Sequence, residues 1–146
     1  MNFHVKISSK INENEWNDNL AKSSASTVYQ TYNWQKLYHE AFGSKPFFIT
    51  ITDDSGNVVG QLACLIHEKM LWGGTNPVSK KIGNLFKLNK SLWWYHGPII
   101  HSHDYEDEGL SIILSTVDKI AKKNQVVNIR GISSPFAKQF PIKLKK

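Results

Sequence analysis

Apolar positions along the chain switch between a spacing near two and a spacing near four, and each switch marks an element. Residues 3–7 alternate and predict a first strand. Trp16 and Leu20 stand four apart behind a capping Asn12 or Asn14, which predicts a helix over 15–22. Residues 23–27 are polar and read as a loop. The clearest stripe comes next. Trp34, Leu37, Tyr38, Ala41 and Phe42 share one helical face, and that face is expected to pack on the core. Thr31 or Asn33 can cap its start, and Gly43 stands where a left-handed C-terminal cap belongs. Pro46 keeps the helix from resuming.

Residues 47–52 and 58–66 read as strands around the turn Asp53-Asp54-Ser55-Gly56-Asn57. A further strand or bent extension is expected over 68–72, ending at Gly73-Gly74. Residues 75–90 set Lys80, Lys81, Lys87 and Lys90 among Ile82, Leu85, Phe86 and Leu88. They fit either a short amphipathic helix or a long basic loop. Residues 92–95 read as a strand with 100 as its outer limit. Leu110, Ile113, Leu114, Val117, Ile120 and Ala121 predict a buried helix stripe over 106–124. Acidic residues open that helix, and Lys119, Lys122 and Lys123 close it, as the helix dipole favours. Residues 126–132 read as a short buried strand ended by Pro135, followed by the basic tail FPIKLKK. The predicted order is β-α-α-β-β-β-β-α-β. That is one mixed α/β (α+β) domain over 1–146 with a mostly antiparallel sheet.

The run WWYHGPII, residues 93–100, is the densest aromatic cluster. Strand alternation would turn Trp93 and Tyr95 to one side and Trp94 and His96 to the other. Large residues on both faces imply a central strand covered on both sides. Pro98 cannot donate to a sheet ladder, so Gly97-Pro98 bends or ends the strand.

Charge narrows the partners. The chain has 146 residues, 18 basic against 12 acidic, and a net charge of +6. That favours anionic partners such as phosphates, nucleic acid or an acidic membrane surface. Only Arg130 is arginine, and direct base readout leans on arginine forks, so sequence-specific DNA binding is not expected. The single cysteine, Cys64, lies in an apolar run and reads as a small buried hydrophobe. No internal disulfide can form, which suits a reducing compartment. No secretory h-region and no 18-residue apolar stretch are present, so a cytoplasmic location is expected.

Several constellations could carry chemistry. His96, His101, His103 and Asp104 include a His-x-His pair, a real ligand spacing on a strand. The plainer reading is a loop with exposed histidines ahead of an acidic helix start, and no metal is expected. No G-x-S-x-G elbow, Walker loop or G-x-G-x-x-G is present. Gly73-Gly74 reads as a turn, and the 80–90 segment as a solvated loop or a phosphate-facing surface.

The order of motifs resembles the FemAB-like peptidyl-aminoacyl transferases, which are built from GNAT-like (acetyltransferase-fold) domains. The resembling residues are Gln30, Thr31 and Trp34 at a helix start, Asp53, Gly56 and Gly60 in an extended pair, and Tyr95, Gly97 and Pro98 ending an aromatic strand. A long helix and a strand follow, so the resemblance covers residues 15–135. It implies a GNAT-like fold and transfer of an acyl or aminoacyl group to an amine. It also implies anionic or phosphate-bearing substrates, such as aminoacyl-tRNA and a nucleotide- or lipid-linked precursor. Such proteins carry two of these domains, so the chain is expected to be the N-terminal half of a longer one. In such folds the strand matching WWYHGPII parts from its neighbour and opens a cleft, which makes Tyr95 and His96 cleft candidates. Gln30, Trp34 and Lys36 complete the expected substrate-binding set, with Lys36 meeting phosphate. No catalytic residue is assigned.

One departure bears on cofactors. The acetyl-CoA pyrophosphate loop is missing, and Asp104, Glu106, Asp107 and Glu108 crowd the helix start where it would lie. Carboxylates there repel a pyrophosphate, so no acetyl-CoA and no other cofactor is expected. Two further readings remain open: a non-catalytic module binding RNA or another polyanion, and an assembly module.

Overall fold

The computed structural model describes residues 2–68 and 90–136. The expected extension over 69–72, Gly73-Gly74, the basic segment up to residue 89 and the tail from residue 140 lie outside the described residues. Strand β1 spans His4–Ser8 and helix α1 Glu13–Ala21; a 3-10 turn, Val28–Gln30, leads into α2, Tyr32–Phe42. Strands β2 (Lys45–Thr52), β3 (Val58–Glu68), β4 (Lys90–Trp94) and β5 (Ile99–Ile100) follow. A second 3-10 turn, His103–Tyr105, precedes α3 (Glu106–Lys123), and β6 (Asn128–Gly131) is the last strand among the described residues. The result is a mixed, mostly antiparallel sheet flanked by helices, in the order β1-β2-β3-β4-β6 with β5 pairing β3. Among the described residues only β4 and β6 run parallel, joined by the α3 crossover. No helix among the described residues is long and apolar enough to cross a membrane.

Local chemistry sets the boundaries. Asn12 Oδ1 accepts the Glu15 amide at 3.2 Å and caps α1. Thr31 Oγ1 accepts the Trp34 amide at 3.3 Å and caps α2, while Gly43 (φ 66°) ends it with its N–H on the His39 carbonyl. In the β2–β3 turn, Asp53 Oδ1 accepts the Ser55 and Asn57 amides, each at 2.9 Å, and Oδ2 accepts the Asn57 side-chain amide at 3.0 Å. These bonds, led by the one from the Asn57 side chain, hold the Asp53 carboxyl below its ordinary pKa.

Two cores lie on opposite faces of the sheet. Ile49, Ile51, Leu62, Cys64 and Leu92 pack with Ile113, Val117 and Ile120 of α3. Trp16, Leu20, Phe48, Ala63 and Ile99 form the other core beneath α1. Cys64 is buried as expected, and burial pushes its thiol up to about 12, so it is no nucleophile at neutral pH.

Three expectations are corrected. The Trp34–Phe42 stripe of α2 does not face the core: Leu37 is 52% and Phe42 60% exposed, and the one buried residue of the helix is Gln35. The helix instead seats its Tyr32 and Gln35 side, with Tyr32 stacked on Phe48 at 6.0 Å and the Gln35 amide donating to the Tyr29 carbonyl at 2.8 Å. Leu114 of α3 is likewise exposed, because that helix buries Gly109, Ile113, Thr116, Val117 and Ile120. The final strand is not buried. Val127, Ile129 and Ile132 are each more than two-fifths exposed, since β6 stands at the end of the strand order with one neighbour among the described residues.

Candidate functional site

The sheet is interrupted between β3 and the β4–β5 run, and aromatic residues gather there. Trp93 faces Leu65 and Ile99 faces Gln61, so five residues of the β4–β5 strand oppose three of β3. The surplus residues bulge out at Tyr95-His96-Gly97-Pro98. His96 takes a positive φ of 53°, and the Gly97-Pro98 peptide is cis. The bulge withdraws the β4–β5 backbone from Ala63, whose amide and carbonyl must then find other partners.

Gln30 supplies them. Its side chain is 0% exposed; Oε1 accepts the Ala63 N–H at 2.8 Å, and Nε2 donates to the Tyr95 carbonyl, with a longer contact of 3.4 Å to the Ala63 carbonyl. Its own carbonyl accepts the Trp16 indole N–H at 2.8 Å, tying the 3-10 turn to α1. One amide side chain thus stands in for the missing rung of the ladder. Gly97 makes room for it: a Cβ there would lie 2.8 Å from Leu62 Cδ1 and 3.0 Å from Gln30 Nε2. From the other side, the Gly97 amide donates to the Ile132 carbonyl at 3.1 Å and the Trp94 indole donates to the Gly97 carbonyl at 3.0 Å.

The aromatic side chains close over this corner. Tyr29 is the hub: its ring centre lies 4.5 Å from His96, 4.7 Å from Trp34 and 5.9 Å from Tyr95. Tyr38 lies 5.3 Å from Trp34, 5.2 Å from Phe42 and 6.4 Å from Tyr95. His96 does not lie on the face opposite Tyr95, as alternation implies. Its left-handed backbone breaks the alternation, and both rings meet Tyr29. Partial burial raises the Tyr95 pKa, and the neighbouring Tyr38, a hydrogen-bond partner, raises it further. The Tyr95 hydroxyl therefore keeps its proton at neutral pH. Trp34 Nε1 and His96 Nδ1 are buried polar atoms with no hydrogen-bond partner among the described residues.

The expected site residues divide into three groups. Trp34, Tyr95 and His96 come together around Tyr29. Gln30 lies beneath them with its amide engaged by backbone, so it positions the corner from below. Lys36 is exposed on α2 and pairs with Glu40 at 3.9 Å. It is not joined to the aromatic group. Sequence reasoning missed Tyr29, and it placed Tyr38 in the core. Their spacing with Trp34 in VYQTYNWQKLY was the available signal.

The remaining histidines serve separate partners. His101 Nε2 meets Gln61 Oε1 at 3.1 Å, and His103 Nδ1 meets Glu106 Oε2 at 3.4 Å. Among the described residues no three His, Cys, Asp or Glu side chains converge as metal ligands. Glu106, Asp107 and Glu108 occupy the first turn of α3. That turn presents carboxylates where an anion would need bare amides. Comparison of the chain with protein-family models, with curated proteins and with solved structures finds no match.

Proposed function

We propose that this chain is the substrate-side domain of an acyl or aminoacyl transferase of the FemAB-like kind, acting on an amine acceptor. The observation that carries the reading is the β4–β5 corner. There a bulged strand, plugged by Gln30, turns Tyr95 and His96 to one side beneath Tyr29, Trp34 and Tyr38. A GNAT-like domain opens its cleft at such a departure of one strand from its neighbour. The reaction is attack of a neutral amine on an activated carbonyl, with loss of the alcohol leaving group of an ester donor. It gains most from fixed orientation and from donors aimed at the developing oxyanion. Tyr95, held protonated, and the Trp34 indole N–H are donors at this corner. The acidic first turn of α3 speaks against acetyl-CoA, which leaves another activated ester, such as an aminoacyl-tRNA, as the donor. Lys36 would meet substrate phosphate from the outer side of α2, and a second GNAT-like domain would complete the cleft.

The test offers radiolabelled aminoacyl-tRNA and a lysine-bearing, nucleotide-linked peptide to the protein together with any second domain. Label is expected to move to the peptide amine, and Tyr95→Ala is expected to lower kcat/KM at least about tenfold, the loss of one well-placed donor. Retention on heparin that collapses in moderate salt, with no transfer, would replace this reading by the polyanion-binding one that the net charge of +6 allows. Unchanged substrate binding by Lys36→Ala would remove Lys36 from the site.

A further inference from the structure

Beside the corner lies a cavity that the transferase reading leaves unused. It occupies about 210 Å³ between α2 and the β3–β4 pair, and is lined by Tyr38, Phe42, Ser44, Leu65, His67 and Trp93. Tyr38 and Phe42 form one wall with ring centres 5.2 Å apart, and His67 and Trp93 form another at 5.9 Å. Two polar side chains of the wall, Ser44 and His67, serve each other. Ser44 Oγ and His67 Nδ1 share a hydrogen bond of 2.9 Å, and the Ser44 carbonyl meets His39 Nδ1 at 2.9 Å. Among the described residues no carboxylate, lysine or arginine lines the space.

We propose that this cavity holds an uncharged, planar aromatic group of the ligand, of the size of an indole or phenol ring. The proposal rests on reading the aromatic corner as the substrate cleft, because Tyr38 belongs to both: it lines the cavity and stands 6.4 Å from Tyr95. Three features set the chemistry. An ion seated against these walls would give up part of its water and meet no countercharge among the described residues. A ring would find other rings in offset or edge-on contact on two sides. An apolar cavity of roughly 150 Å³ already takes benzene, so the space suits one ring or a fused pair. Aromatic walls can also hold an ammonium group, but cation recognition gains from nearby acid, and the described lining residues supply none while the chain as a whole is positive.

Indole is the probe. Titrated into the full chain and followed by amide chemical shifts, it is expected to saturate shifts at Tyr38, Ser44 and His67. Phe42→Ala is expected to weaken it about threefold to tenfold, the worth of one aromatic contact. Phe42 is exposed enough to be removed without unfolding, and a retained circular dichroism spectrum checks this. Leu37→Ala, on the same stripe but outside the lining, is expected to leave affinity unchanged. The proposal is overturned if indole leaves those residues unmoved, if benzyltrimethylammonium binds more tightly than indole, or if folded Phe42→Ala binds indole as well as the parent. Indole binding without aminoacyl transfer would sustain the cavity and sink the transferase reading. Transfer without indole binding would do the reverse.

Discussion

Replacing Gln30 by leucine keeps the volume and removes every hydrogen bond of the side chain. The Ala63 N–H, fully buried, and the Tyr95 carbonyl, part-buried, then lose their closest partner. Each orphaned group costs about 1–3 kcal/mol, so the pair costs about 2–6 kcal/mol. That is a large part of the roughly 5–15 kcal/mol by which a domain is stable. Urea unfolding measures it. With an m-value of about 1.5 kcal/mol/M, the smallest expected loss lowers the midpoint by about 1.3 M. Gln30→Glu adds a check of direction. Its carboxylate would face the Tyr95 carbonyl, whereas its protonated form can donate to it. Burial raises the folded-state pKa of that glutamate above its unfolded value. The donated bond is therefore fully present below about pH 4, the ordinary glutamate range, and is lost as pH rises through the folded value. The deficit of Gln30→Glu against the parent should shrink on acidification, and that of Gln30→Leu should not. A midpoint drop for Gln30→Leu of less than about 0.3 M, or parallel pH profiles for the two variants, would refute the bridging role.

Gly131→Ala would set a Cβ 1.9 Å from the Trp94 ring, so it should lower stability by about 1–3 kcal/mol in the same urea assay. His101 has its pKa lowered, chiefly by burial and then by Lys22, so its folded value lies below the unfolded one. Its contribution to stability is complete above about pH 6.5 and is lost as pH falls through the folded value. His101→Gln should flatten that part of the decline in urea midpoint between pH 7.5 and pH 5. Cys64, with its thiol near 12, should resist a thiol reagent in the native protein at pH 8 and react once the chain is unfolded in urea.

Much of the fold was legible because it rests on local chemistry. Asn12, Thr31, Gly43 and the Asp53–Asn57 turn bound their elements through bonds to nearby backbone, and residue type alone announces such bonds. What a stripe packs against is not local. The Trp34–Phe42 periodicity gave a helix, but Tyr32 and Gln35 seat it, and Trp34 and Tyr38 of the stripe turn to the aromatic corner. The final strand read as buried from its apolar content, but its place in the sheet depends on the α3 crossover. At the site, Gly97-Pro98 marked a break in WWYHGPII. The break implied orphaned backbone groups on the facing strand, but not that Gln30, more than sixty residues upstream, would satisfy them. His96 escaped the alternation rule through one backbone angle. Lys36, expected to meet phosphate, stands exposed on α2 and pairs with Glu40.

The central claim is that the corner at residues 95–98 is a ligand cleft. The most direct measurement is a chemical-shift titration with an aminoacyl-adenosine, the 3′ end of an aminoacyl-tRNA. The expected result is that the Trp34 indole N–H, His96 and Tyr29 move first and saturate together, with weaker movement at Ala63 through Gln30. Shifts confined to lysine-bearing surfaces, or no saturable shift at Trp34 and His96, would contradict it.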